Sequence, residues 1–130
     1  MLREIQSAVI RWMRISISQE TESIRICSVE ILRTSRIRQI LFMSTDGGET
    51  WSEPTLLDVK KASEQSLLVG PGRGIVISTG EHKGRIVFTC YEFTNGDKNS
   101  AAIYSDDNGV TWHRGASAKN FSSEAVVTEA

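Results

Sequence analysis

An all-β fold of antiparallel sheets, laid out as a repeating array, is what this sequence predicts, and three observations predict it. The octet Ser-x-Asp-x-Gly-x-Thr-Trp occurs twice, at residues 44–51 and 105–112. Each copy follows a strand-like run, Ile40-Leu41-Phe42-Met43 before the first and Ala101-Ala102-Ile103-Tyr104 before the second, so its polar centre reads as the turn of a β-hairpin. The copies begin at Ser44 and Ser105, 61 residues apart, the scale of one four-stranded sheet with its connections, which points to a propeller or another radial array.

Each residue type in the octet has a physical task. Asp46 and Asp107 are short carboxylates able to accept hydrogen bonds from backbone N–H groups that the turn leaves without a ladder partner. Gly48 and Gly109 suit a position with φ > 0, where a Cβ would clash. Thr50 and Thr111 return the chain to extended geometry, and Trp51 and Trp112 supply large apolar anchors under the turn. This is a stabilising device and performs no chemistry. A calcium loop needs acidic residues at alternate positions and a distant glutamate, a pattern these octets lack, so no metal is expected.

Composition bounds the function classes. With 130 residues, 39% apolar and 24% charged, the chain matches an ordinary globular domain, and a net charge of −1 implies no general affinity for nucleic acid or acidic membranes. Cys27 and Cys90 form no metal signature with His82 or His113; they read as buried or incidental thiols, with a single disulfide as the alternative. No apolar run is long enough to span a bilayer, and Arg11 and Arg14 interrupt the only candidate for a secretory signal. Two units of a radial array would leave broad apolar faces in water, so the chain is expected to belong to a larger protein, to self-associate, or to be marginally stable.

Residues 1–43 form an atypical segment with seven arginines and no lysine, set apart from the region 44–130. Here Ile15-Ser16-Ile17-Ser18 and Ile24-Arg25-Ile26-Cys27-Ser28-Val29 alternate as half-buried strands do, whereas Leu2 to Met13 fits an amphipathic helix equally well; a third reading is an atypical or damaged gene start. Past the first octet, Thr55-Leu56-Leu57 predicts a short strand, and residues 58–68 one or two helical turns with Asp58 as N-cap. Val69-Gly70-Pro71-Gly72-Arg73-Gly74-Ile75 is an irregular loop whose backbone can approach a ligand or another strand closely, and no Gly-Lys-Ser/Thr follows to make it a phosphate cradle. Strands are then expected over Gly74–Ser78, Arg85–Phe93, Ala101–Tyr104 and Ala125–Thr128, with turns at 80–84 and 95–99, an antiparallel meander whose last run has no closing element.

The two octets, the glycine loop, Gly80-Glu81-His82-Lys83-Gly84-Arg85-Ile86-Val87 and Ser123-Glu124-Ala125-Val126-Val127-Thr128-Glu129 together resemble, in content and order, consecutive stretches of a bacterial exo-α-sialidase (neuraminidase). The likeness covers roughly residues 40–130. The octet, the family's Asp box, also occurs in non-enzymatic propellers; the glycine loop and the glutamate motif in series are more specific.

The resemblance implies a six-bladed β-propeller of which this chain supplies about two blades, and an activity releasing terminal sialic acid from glycans with retention. In that chemistry a Tyr attacks the anomeric carbon, a Glu activates it, an Asp serves as general acid/base, and three arginines clamp the sugar carboxylate; sialidases are a recognised exception to the two-carboxylate rule. Family members are often secreted or held at the cell surface and need no cofactor. Sialylated glycans are the implied partner, with the rest of a propeller or a second copy as a further one.

Carried over by position, Glu124 falls where the motif Glu-x-x-Val-x-Glu places the Glu that activates the nucleophile, the alternative being a solvated strand-edge carboxylate. Tyr91 and Phe93 fall where the family has a Pro-x-Tyr-x-Tyr-like stretch lining the substrate pocket; Thr89 and Cys90 depart from it, so core packing is the alternative. Arg73 is not assigned to the carboxylate clamp. Ser35-Arg36-Ile37-Arg38 lacks the proline of the family's first arginine motif, and the other clamp arginines and the nucleophilic Tyr would lie beyond Ala130. The expectation is a sialidase fragment inactive in isolation, set against a non-catalytic Asp-box segment that binds glycan or protein, and against a structural remnant without function.

Overall fold

A computed structural model describes residues 8–19, 22–31, 36–61, 66–70, 73–94, 96–118 and 127–128; in the first three strands, side chains are described at Ile24, Ile26 and from Arg38 onward. Every regular element among these residues is a strand: β1 (Ala8–Gln19), β2 (Glu22–Ile31), β3 (Arg36–Ser44), β4 (Thr55–Leu56), β5 (Ser66–Val69), β6 (Ile75–Val76), β7 (Ile86–Thr94), β8 (Asp97–Ser105) and β9 (His113–Arg114). The predicted all-β architecture of antiparallel sheets is thus observed.

The first sheet runs β1-β2-β3-β4 and the second β5-β7-β8-β9, with β6 also on β7. β5 pairs with Cys90–Phe93 and β6 with Ile86–Val87 on the same edge of β7, so the two short strands act as one edge strand broken by the glycine loop. Gly70 N donates to Thr89 O at 2.9 Å within that break. Both sheets therefore follow one plan of four antiparallel rows, and in both the octet joins the third row to the fourth.

Several local expectations are replaced. The helical option for the start of the chain fails from Ala8 onward, where β1 pairs with β2 in a ladder from Ala8↔Ile31 to Gln19↔Glu22, with a register shift between Ile10 and Arg14. The pairing partner, which single-segment periodicity does not contain, decides the ambiguity. Asp58–Lys61 is irregular rather than helical, and Ser66–Val69 is a strand with the alternating burial of a half-covered edge. The turn placed at 95–99 is tighter: Thr94 pairs with Asp97, which puts Lys98 and Asn99 inside β8. Gly96 at φ +85° supplies the left-handed geometry of that short connection. Of the expected last strand, residues 125 and 126 lie outside the described residues, and Val127–Thr128 carry no strand pairing.

The core lies between the sheets. Ile24, Ile26, Leu41 and Leu57 face Leu67, Val69, Ile86, Phe88, Cys90 and Ile103, with Phe88 1% exposed and Ile103 fully buried. Burying each such side chain contributes on the order of 1.5–3 kcal/mol. Gly74 shows why the loop needs glycine: a Cβ there would fall 2.6 Å from the Phe88 ring, so the expected close backbone approach is made against the core. Cys90 is a buried cysteine outside any disulfide, so a Cys27–Cys90 bond is not formed.

Candidate functional site

The two octets fold into the same hydrogen-bonded turn. The Ser44 hydroxyl donates to Asp46 Oδ1 (2.8 Å) and accepts from Gly48 N (2.9 Å), while Asp46 accepts from Thr50 N (2.9 Å to Oδ1) and from the Thr50 hydroxyl. In the second copy Ser105 donates to Asp107 Oδ1 (2.8 Å) and accepts from Gly109 N (2.8 Å), and Asp107 accepts from Thr111 N (2.8 Å) and Thr111 Oγ1 (2.5 Å). Trp51 Nε1 donates to Gly48 O at 3.0 Å and Trp112 Nε1 to Gly109 O at 2.9 Å. Gly48 (φ +92°) and Gly109 (φ +88°) hold the left-handed geometry foreseen for them.

These bonds hold both carboxylates ionised. The threonine hydroxyl hydrogen bond, followed by the threonine amide, lowers Asp46 from 3.8 to about 2 and Asp107 likewise to about 2. A carboxylate so engaged and so acidic serves neither as a base nor as an acid near neutral pH. The role of the octet's first residue was not legible from residue type alone, although Ser44 is 3% exposed and Ser105 fully buried. The repeated Ser was the available signal.

The copies differ in what lies beneath them. Trp112 packs against the core with its ring 5.9 Å from Phe88, and Gly109 is buried against Ile24 and Met43 of the first sheet. The second octet is therefore also a contact between sheets, whereas Trp51 is half-buried over its own turn.

The opposite end of the second sheet carries the predicted ligand-facing residues. Ile86 pairs with Ser105 beside the octet, and Phe93 pairs with Lys98 seven residues farther along β7, about 23 Å away. Strand alternation puts Phe88, Cys90 and Glu92 on the core face and Tyr91 and Phe93 on the other, half-buried. Their rings meet edge-on at 5.4 Å, and Lys98 Nζ lies 5.4 Å from the Phe93 ring and 5.8 Å from the Tyr91 ring. Glu124 lies outside the described residues; Arg73 is exposed.

One group was not foreseen. Glu92, 6% exposed, is ion-paired with Arg114 of β9 and accepts from the Ser117 hydroxyl at 2.5 Å, and Arg114 Nη1 donates to Val59 O (3.3 Å) in the segment joining the sheets. The chain leaving β9 continues along β8, with Gly115 N donating to Ala102 O (2.7 Å) and Ala118 N to Ser100 O (2.6 Å). Ser100 pairs with Tyr91, so the chain is carried toward the aromatic end of the sheet.

Comparison with known proteins agrees with this geometry. Residues 8–129 match the BNR repeat-like domain family. The chain is 38% identical over 94 residues to a sialidase of Bacteroides fragilis (strain YCH46), covering 69% of this chain and 16% of that protein. It is 36% identical over 95 residues to a sialidase of Paraclostridium sordellii, covering 68% of this chain and 23% of that one. Among solved structures, the Hadza microbial sialidase Hz136 superposes with a TM-score of 0.69 at 25% identity, over 83% of this chain and 24% of the other. The chain thus spans less than a quarter of these relatives, and its two sheets form a partial propeller of about two blades.

Proposed function

The chain belongs to the sialidase/BNR-repeat family, and from that premise we propose that it is part of a retaining exo-α-sialidase, an enzyme that releases terminal sialic acid from glycoconjugates. Glu124 is assigned as the base that activates a tyrosine nucleophile, and Tyr91 and Phe93 as residues that contact the glycan. A neutral tyrosine suits an anomeric carbon that already bears a carboxylate, because it avoids like-charge repulsion. Asp46, Gly48, Trp51, Asp107, Gly109 and Trp112 are structural on this reading.

The observation that carries it is the course of the chain around the aromatic pair. Tyr91 and Phe93 sit at the end of the second sheet remote from its octet, and the hydrogen bonds of Gly115 and Ala118 to β8 carry the chain, as far as Ala118, toward that end. Ala118 precedes Glu124 by six residues, a reach of at most about 20 Å.

Glu124 is the one position of this sequence that matches the family's catalytic groups, and such groups act as a unit. The 130-residue polypeptide by itself is therefore expected to cleave a fluorogenic sialoside only at background, and turnover abolished by Glu124→Gln would overturn that statement. An NMR titration with 3′-sialyllactose is expected to give saturable shifts at Tyr91 and Phe93; a flat titration counts against the glycan assignment.

A second reading is a non-catalytic Asp-box segment that binds a glycan or a protein. The engagement of Asp46, Asp107 and Glu92 in structural hydrogen bonds and an ion pair is common to both readings. The Glu124 carboxyl resonance separates the two, since the enzyme reading requires it to shift on sialoside binding and the second reading requires it to stay still.

A further inference from the structure

We propose that Arg38 heads a binding site for one small monovalent anion, of halide size, in a cavity where the two sheets join. The inference stands apart from the sialidase reading, because a cavity of about 20 Å³ holds a single ion and admits no sugar.

The walls of the cavity include Arg38 and Gln39 of β3, Leu67 of β5, and Leu57, Asp58 and Lys60 of the segment that joins the sheets. Hydrogen bonds hold those walls in place. Leu57 N donates to Gln39 O at 2.9 Å, Val69 N to Gln39 Oε1 at 3.3 Å, and Arg114 Nη1 to Val59 O at 3.3 Å. A site held in shape before its ligand arrives loses less freedom on binding.

Charge supplies the reason for an anion. Arg38 is half-buried, its Nε is out of reach of water, and no hydrogen bond or ion pair engages its guanidinium among the described residues. This sets it apart from Arg85, held by Asp106 at 2.8 and 3.0 Å, and from Arg114, held by Glu92. A dry N–H donor without an acceptor is costly. A water molecule would accept that hydrogen bond and leave the charge unbalanced. The walls set Arg38 and Lys60 against Asp58, one net positive charge, which one monovalent anion balances. Lys60 is half-buried and spends a donor on Lys61 O at 3.1 Å, so it acts through its charge. Asp58 is exposed and forms no ion pair with Arg38, so water screens its opposition. Leu57 and Leu67 are buried and supply dry walls, beside which a charge-assisted hydrogen bond to the guanidinium is strengthened.

The test follows the Arg38 Nε–H resonance of the isotope-labelled 130-residue chain as chloride replaces gluconate at constant ionic strength, with bromide in a second series. Gluconate is too large for the cavity, so screening stays fixed while the fitting ion varies. A saturable shift with both halides is expected, with a urea midpoint that rises as halide replaces gluconate. The midpoint rise should vanish in Arg38→Met. Asp58→Asn removes the opposing charge and should lower the chloride dissociation constant roughly two- to fivefold. The Trp51 and Trp112 indole signals report whether each variant is folded; if Arg38→Met is not, the wild-type resonance and the Asp58→Asn affinity decide. A resonance indifferent to both halides overturns the proposal and leaves the cavity to water. One that ignores halide but moves in Asp58→Asn overturns it too, since the aspartate is then the partner of Arg38. A shift produced by 3′-sialyllactose in gluconate would sink the assignment to a small ion.

Discussion

Gly109, in the turn of the second octet, lies directly against Ile24 of the first sheet: a Cβ built on it would meet Ile24 Cδ1 at 2.9 Å. A Cβ built on the equivalent Gly48 would meet, among the described residues, the Trp51 ring alone, at 3.5 Å. Both occupy the left-handed region, so alanine strains the backbone at either site by about 1 kcal/mol. At Gly109 the methyl group must also displace a packed isoleucine, which raises the expected cost of Gly109→Ala to roughly 2–4 kcal/mol. Urea unfolding of the two variants measures the difference; equal midpoints would mean that the second octet is not wedged between the sheets.

Ser105 makes a second unequal pair with Ser44. Its hydroxyl is fully buried and accepts from Gly109 N, so Ser105→Ala strands a buried amide and should cost about 1–3 kcal/mol. The Gly48 amide, in a half-buried turn, can exchange the Ser44 oxygen for water, and Ser44→Ala should cost about 1 kcal/mol or less. Slowed hydrogen exchange at Gly109, lost in Ser105→Ala, reports the bond directly.

That serine marks where local sequence stops being informative. Turn chemistry is written locally, which is why Asp46, Asp107, Gly48 and Gly109 were legible in role and geometry. The serine hydroxyl closes its loop on a residue four positions on, only after the turn has formed. Glu92 had a readable signal, since it continues the inward alternation of Ile86, Phe88 and Cys90, but its partners Arg114 and Ser117 lie 22 and 25 residues away and meet it only through sheet register. The same holds for β1, whose strand state is fixed by β2, and for Lys98, which the tight turn moved from loop to strand. Tyr91 and Phe93 were legible as neighbours because a period of two puts them on one face.

The octets also predict an acid response. Asp46 and Asp107 have folded values of about 2 against an ordinary 3.8. A carboxyl lowered on folding contributes stability that is complete above its unfolded value and is lost as pH falls through its folded value. The turns should therefore stay intact at pH 5 and loosen between about pH 4 and pH 2. Carboxyl titration by NMR is expected to place both midpoints near 2, and the amides of Thr50 and Thr111 should move with them. In the Asp46→Asn, Asp107→Asn double variant those amide shifts should be flat over this range; midpoints close to 3.8 in the wild type would show that the threonine hydrogen bonds are not held in solution.

The Glu92–Arg114 pair allows a stricter test because both side chains are nearly dry, with 8% and 9% of their surfaces exposed. Removing one partner from such a pair leaves an unbalanced charge without water, and the usual cost is about 3–5 kcal/mol. Arg114→Met should approach that figure, since it also deprives Val59 O of its donor at the junction of the two sheets. Replacing both residues with apolar ones of similar volume, Glu92→Leu with Arg114→Met, removes the stranded charge and should recover most of the loss. The expected result of a denaturant-unfolding cycle is thus one severely weakened single variant and a double variant near the wild type. A single variant that loses less than about 1 kcal/mol would mean that water reaches the pair and that it behaves as a surface ion pair. In the folded double variant the Ser117 hydroxyl has no carboxylate to bond, so faster hydrogen exchange at Ala118 with an unchanged amide at Gly115 would separate tethering of the outgoing chain from stability of the sheet.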